Sequence, residues 1–201
     1  MKILKVSAKN LKEVFKITTE SIRRGEVVIL PTDTVYGLIA DAKNEKAVKR
    51  IFEIKGRETK KTLSIFVKDI KMAKDLAFVN KRQEKFLKTS WPGKVTAVLK
   101  AKPKKKKFFK FGIINSENKI GLRIPKYELV NFLIKKLNSP VTGTSANISG
   151  NPASTKIKEV LRQFENRKYQ PDLTIDAGNL PKSKPSTVFD LTVFPPKILR
   201  Q

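Results

Sequence analysis

Val27-Val28-Ile29-Leu30 is the stretch that most restricts the fold. Four apolar residues stand between Gly25-Glu26 and Pro31 with no polar alternation. Such a run reads as a buried strand rather than one with a wet face. Helical patterns lie on either side of it. Leu11, Val14, Phe15, Thr18 and Ile22 recur at helical spacing, and Gly25 supplies the stop. A second helix starts after Asn44, a good N-cap, and carries Ala47, Val48, Ile51 and Phe52 on one face to its end at Gly56. Leu63 to Val67, Val95 to Leu99, Ile120 to Ile124, Leu173 to Ile175 and Val188 to Leu191 read as further strands. Short helical segments begin near Asp69 and Asn80. A longer one runs from Tyr127 to Leu137 with Leu129, Val130, Leu133, Ile134 and Leu137 inward. Another, capped by Ser154 or Thr155, turns Ile157, Val160, Leu161 and Phe164 inward. Strands and helices are interspersed without strict alternation. The expectation is a single α/β domain over residues 1–201, with one mixed, twisted sheet and flanking helices.

Composition removes whole classes of chemistry. Cys and His are both absent, so there is no disulfide framework, thiolate nucleophile, Cys/His zinc site or Ser-His-Asp device. No apolar run approaches the roughly 20 residues of a membrane span, and MKILKVSAKN is too charged for a signal peptide. A cytoplasmic protein without membrane contact is expected. The net charge of +26 admits two readings. One is a polyanion partner, RNA or a phosphate-rich substrate. The other is compositional drift, because 35 of the 44 basic residues are Lys and only 9 are Arg, which leads at selected phosphate contacts. Lys102 to Lys110, KPKKKKFFK, is the one biased segment. It is either an RNA-facing loop with interleaved aromatics or a solvated or mobile tip.

Several segments are polar where a strand should simply turn. In LPTDTVYGL, Leu30 to Leu38, a buried strand runs into Thr32, Asp33, Thr34 and Tyr36, short donors and acceptors at the mouth of a sheet. In IKGRETKK, Lys55 and Arg57 flank Gly56 past a helix end. They are either dipole partners for that end or a Lys-x-Arg clamp for a phosphate chain. SWPGKVTAVL holds the single Trp, Trp91, in what reads as a structural turn. Arg123 interrupts the apolar IGLRIP and must be paired, with a carboxylate ligand or with a protein acid. VTGTSANISGNPAS, Val141 to Ser154, crowds small hydroxyls, amides and glycines into a loop able to ring an anion. PSTVFDL brings Ser186 and Thr187 into a strand. No Walker A loop and no GxGxxG is present.

Together and in this order, these segments resemble the threonylcarbamoyl-AMP synthase (YrdC/TsaC) family from Ile29 to the C-terminus. The specific signature is the Lys-x-Arg of KGR with the Ser-x-Asn of TSANISG. PTDTVYGL, WPG, RIP, STV and the terminal ILRQ stand at approximately matching places. The resemblance implies a YrdC-like fold in its short form. It implies an enzyme that joins L-threonine, bicarbonate and ATP into threonylcarbamoyl-adenylate and pyrophosphate, for transfer by a separate threonylcarbamoyl transferase to the tRNA adenosine beside the anticodon. Such a reaction needs positioning and charge neutralisation more than acid/base groups, which suits a chain without His or Cys. By the same resemblance Lys55 and Arg57 are catalytic and hold the triphosphate with Lys61. Ser145 and Asn147 hold the adenylate with Ser154 and Arg200. Thr34, Arg123 and Ser186 hold threonine, Arg123 gripping its carboxylate. Mg2+ arrives with ATP and the protein supplies no metal site of its own. The chain departs from the family pattern in places: Glu58 and Thr62 stand where Pro is common, WPGKVT replaces the commoner WPGPLT, and Phe66 stands where some members carry His. The alternative is a basic domain that holds structured RNA or tRNA, with a vestigial nucleotide pocket. Direct contact of tRNA with the basic surface is open in either case.

Overall fold

The computed structural model of the chain describes residues 1–109 and 111–201. Its strands are β1 (Lys2–Lys5), β2 (Val28–Leu30), β3 (Gly37–Ile39), β4 (Ile65–Phe66), β5 (Val95–Lys100), β6 (Lys119–Arg123), β7 (Val141–Thr142), β8 (Thr144–Ser145), β9 (Leu173–Asp176), β10 (Thr187–Asp190) and β11 (Lys197–Arg200). The helices are α1 (Leu11–Arg23), α2 (Glu45–Lys55), α3 (Ile70–Leu76), α4 (Lys81–Ser90), α5 (Glu128–Leu137) and α6 (Ile157–Arg162). A 3-10 turn over Pro103–Lys107 follows β5. The α/β class is as expected. The single sheet is not: the strands divide into two mixed sheets, ordered β1-β9-β2-β3-β8 and β11-β10-β5-β6-β4-β7. The reason lies in the stretch Val141 to Ser145. β7 pairs with β4 of the six-stranded sheet, and β8 pairs with β3 of the five-stranded one, with only Gly143 between them. A chain that changes sheets within one residue leaves no apolar run to show it.

Local chemistry fixes the elements. Asn44 caps α2 by accepting from the Ala47 N–H at 3.1 Å, and Gly56 closes it in the left-handed region at φ 57°. Asp69 caps α3, and Asn80 with Gln83 forms a reciprocal capping box on α4. α6 differs from expectation. Its cap position is Lys156, and Ser154 acts two residues earlier, accepting from the Lys156 N–H at 2.9 Å and donating to Glu159 at 2.6 Å. Val28 to Leu30 is fully buried, and β2 has β9 on one side and β3 on the other, which is why its pattern shows no alternation. α1 and α5 meet through a stacked Phe15–Phe132 pair at 4.5 Å. Val14, Ile22, Leu133, Ile134, Ile51 and Phe164 are buried in one core with the strands.

Five strands were not read from the sequence, β1, β3, β7, β8 and β11. None exceeds four residues, and β1 and β11 are edge strands with mostly exposed side chains. Among the described residues, no helix is long and apolar enough to cross a membrane.

Candidate active site

A cleft opens where the two sheets meet. Its wall comes from the β2–β3 connection (Thr32, Thr34, Val35, Tyr36), the segment after α2 (Arg57, Thr62, Leu63, Ser64), Phe66 of β4 and Arg123 of β6. The sheet crossing adds Gly143, Thr144 and Ser145, and the C-terminal strands add Pro185, Ser186 and Arg200. Each polar group stands at a strand end or a sheet crossing, where α/β folds leave backbone and side-chain donors facing a ligand. Gly143 is required by contact. A Cβ there would lie 2.5 Å from the Phe66 ring, so any side chain would push that ring out of the wall.

The cleft is cationic. Arg57 donates through Nε to the Lys61 carbonyl at 2.7 Å and through Nη2 to the Thr62 carbonyl at 3.0 Å. Arg200 donates to the Ser186 carbonyl at 2.8 Å and to its hydroxyl at 3.2 Å. Neither guanidinium has a carboxylate partner among the described ion pairs. Burial lowers the pKa of Arg57, and the charge of Arg200 lowers it further; burial lowers that of Arg200 too. Two cations that repel across a cleft, held by carbonyls alone, create a place where an anion is stabilised.

Lys55 sits differently. It is 1% exposed and does not line the cleft. Its ammonium donates to the Ser145 carbonyl at 2.6 Å, the Asn147 carbonyl at 2.7 Å and Asn147 Oδ1 at 3.0 Å. Three donors meet three acceptors, all from the Ser-x-Asn loop. Asn147 is equally committed: Oδ1 also accepts from the Ser145 hydroxyl at 2.6 Å, and Nδ2 donates to the Ile148 and Asn151 carbonyls. The Ser149 N–H donates to the Lys55 carbonyl at 2.8 Å. Burial, with the charge of Arg57, pushes the Lys55 ammonium down to about 7. The Lys-x-Arg and Ser-x-Asn motifs are thus joined through Lys55 and Asn147, and they present Arg57 and Ser145 to the cleft.

Arg123, 3% exposed, stands in the same wall. It donates to the Gly93 carbonyl at 2.9 Å and to the Thr34 hydroxyl at 3.3 Å, and pairs with Asp33 at 2.6 Å. Its guanidinium carbon lies 5.6 Å from the centre of the Phe66 ring. Burial lowers the Arg123 pKa, and Asp33 counters that. Asp33 also accepts from the Lys126 N–H at 3.0 Å, so it anchors the RIP turn as well. The sequence left Arg123 between a ligand carboxylate and a protein acid; it has a protein acid and still faces the cleft. Ser186 bonds the Thr96 hydroxyl at 2.8 Å across the β5–β10 pair.

Of the residues singled out beforehand, Thr34, Arg57, Arg123, Ser145, Ser186 and Arg200 line the cleft; Lys55 and Asn147 support it. Lys61 lies outside the wall, with its ammonium 3.7 Å from Glu58, and Ser154 is committed to α6. Sequence reasoning missed Ser64 and the part played by Gly143; Thr32 it named only among the polar residues at a strand end. Ser64 had a readable signal, one polar residue inside the apolar run Leu63 to Val67. The Lys-rich loop contributes no residue to this cleft; its last member, Lys110, lies outside the described residues.

Three guanidiniums and a ring of hydroxyls at a junction of two mixed sheets define an α/β protein built to hold an anion-rich small molecule. The Sua5/YciO/YrdC family model, described as telomere recombination, matches residues 20–201, and the chain belongs to that family. A relative from Methanocaldococcus jannaschii is 36% identical over 193 residues, covering 95% of this chain and 86% of its own. A threonylcarbamoyl-AMP synthase from Pyrococcus abyssi is 37% identical over 186 residues, covering 92% of this chain and 53% of its own. The crystal structure of P. abyssi Sua5 complexed with L-threonine superimposes with a TM-score of 0.87 at 34% identity, covering 100% of this chain and 57% of that one. The chain therefore spans about half the length of its P. abyssi relative.

Proposed function

We propose that this chain is a threonylcarbamoyl-AMP synthase. The threonine amine and bicarbonate form a carbamate with loss of water, and the carbamate and ATP give threonylcarbamoyl-adenylate and pyrophosphate. The observation that carries this reading is the pair Arg57 and Arg200, two cations without carboxylate partners in a cleft whose wall also holds Arg123 and Thr34. Pyrophosphate is the leaving group when the carbamate oxygen attacks the α-phosphorus and the bond to the β-phosphate oxygen breaks. Charge accumulates on that oxygen, and preorganised guanidiniums are suited to neutralise it. Ser145 and the Lys55-braced loop hold the adenylate side. Arg123, Thr34 and Ser186 hold threonine, the Arg123 donors not taken by Asp33 facing its carboxylate. Lys55 and Asn147 act through the loop they brace. Lys61 and Ser154 receive no substrate contact. Mg2+ enters as the counter-ion of ATP. The product then needs a transferase that moves the threonylcarbamoyl group to a tRNA adenosine. The likeness to the P. abyssi synthase and to Sua5 crystallised with threonine supports this reading. An RNA-holding module with a dead pocket would leave Arg57 and Arg200 close together with nothing to offset their repulsion.

The test is pyrophosphate release from ATP, with threonine and bicarbonate omitted in turn. Release that requires both is expected. Release with another amino acid at the same rate would keep the adenylating cleft and remove the substrate assignment.

A further inference from the structure

KPKKKKFFK is absorbed by nothing in the cleft chemistry, yet its residues Lys102 to Phe109 are held to the rest of the fold. The Lys102 N–H donates to the Leu76 carbonyl at 2.9 Å, and the Ala101 N–H to the Asn118 carbonyl at 2.8 Å. Ala77 and Ala101 form an isolated bridge, and Phe109 is only 5% exposed. Lys102 and Phe109 are therefore both fastened, with the 3-10 turn of Pro103–Lys107 between. This creates a second groove, against α3 and the end of α5. Lys43, Lys68, Lys71 and Lys105 all line it, drawn from three stretches of the chain, and Asp75 is the one acid in its wall. Among the described residues none of these four lysines is ion-paired; Lys68 donates to Asn138 Oδ1 at 2.9 Å. Phe108 borders the same groove at 51% exposure, and the Lys105 ammonium lies 5.5 Å from its ring centre.

We infer that this groove binds a single-stranded segment of RNA, its phosphates on the lysines and one unstacked base on Phe108. Unpaired lysines from distant segments, converging on one groove, concentrate positive potential that only a polyanion neutralises at several points at once. An exposed ring beside them adds what a bare phosphate or a lipid headgroup would not use: a face on which a base stacks, with the cation–π contact holding the ring between charge and base. A duplex keeps its bases stacked on one another, so the ring selects for a loop or single strand. The choice of RNA among polyanions rests on the proposed function, whose product is destined for a tRNA.

The experiment measures fluorescence anisotropy of a labelled oligouridylate of about sixteen nucleotides, with no ATP or threonine present, across a salt series. Each lysine removed from a phosphate contact lowers the salt slope by about 0.7 for a single strand. Lys43→Ala, Lys71→Ala and Lys105→Ala together should therefore lower it by about 2. Phe108→Ala should weaken binding by about tenfold with the slope unchanged. Both variants should release pyrophosphate at the wild-type rate, since none of these residues lines the cleft, so loss of the enzymatic reading and loss of this one are separable. A comparison triple, Lys12→Ala, Lys16→Ala and Lys136→Ala, removes equal charge beside the Phe15–Phe132 pair. Equal loss in that triple would mean bulk charge binds RNA, and would overturn the assignment. So would an unchanged Phe108→Ala affinity, which would leave phosphate attraction alone. Loss of binding to phosphatidylserine–phosphatidylcholine vesicles with RNA binding intact would make the groove a membrane contact instead.

Discussion

Arg57 and Ser145 are the side chains on which turnover should depend most. Removing one preorganised donor from a charge-stabilising site costs on the order of 10²-fold in rate. Arg57→Ala and Ser145→Ala are each expected to slow pyrophosphate release by about that factor; near-wild-type turnover in both would remove the site assignment. Lys55 should behave differently because its donors are matched to protein acceptors. Only its ammonium has three protons for the three acceptors, yet burial lowers its pKa to about 7, so the fold accommodates the neutral amine more readily than the ammonium. Above about pH 7 the folded chain releases a proton that the unfolded chain keeps, so the stability of wild type relative to Lys55→Met in urea unfolding should rise with pH above about 7. A difference that is flat with pH would show that Lys55 does not titrate in the folded protein. Arg123 carries a structural cost as well as a binding role. Arg123→Met leaves Asp33 buried without its partner, and about 3–5 kcal/mol of stability should go with it in urea unfolding.

At the scale of elements, the cleft depends on where α2 stops and where β7 becomes β8. Gly56 takes φ 57° with open space around its Cα, so Gly56→Ala meets backbone strain and no clash. About 1–2 kcal/mol lower stability is expected by thermal unfolding, with Arg57 displaced and the apparent KM for ATP raised. Asn44→Ala, at the far end of the same helix, should cost about 1 kcal/mol and leave the KM unchanged, since only the first turn loses its cap. Gly143→Ala tests the sheet crossing. Its Cβ must displace the Phe66 ring, which lies against Arg123, so the KM for threonine should rise more than that for ATP. The helices and longer strands were legible because each carries its own period and punctuation, as with Asn44 and Gly56 on α2. The sheet crossing was not: Val141-Thr142-Gly143-Thr144-Ser145 has too few side chains to record which partner strand each end meets. Phe66 was noted as a departure from the family pattern, but only the structure shows it packed over Gly143 and beside Arg123.

For the molecule as a whole, +26 charges on 201 residues work against compactness. Going from about 0.01 M to about 0.1 M salt shortens the screening length from about 30 Å to about 10 Å. The melting temperature should rise over that range; a fall would show that the ion pairs outweigh the repulsion. What the sequence by itself determined is the set of local choices: caps, stops, buried strands, and the Lys-x-Arg and Ser-x-Asn motifs, each written within a few neighbouring residues. It also excluded thiol and imidazole chemistry outright. Only the tertiary structure decided that the strands form two sheets, that Arg123 meets Asp33, and that Lys55 braces a loop while Arg57 faces the cleft. It also decided that four scattered lysines meet beside Phe108. These depend on which residues far apart in the chain are brought together, and pairing at a distance is set by the packing of all the elements at once.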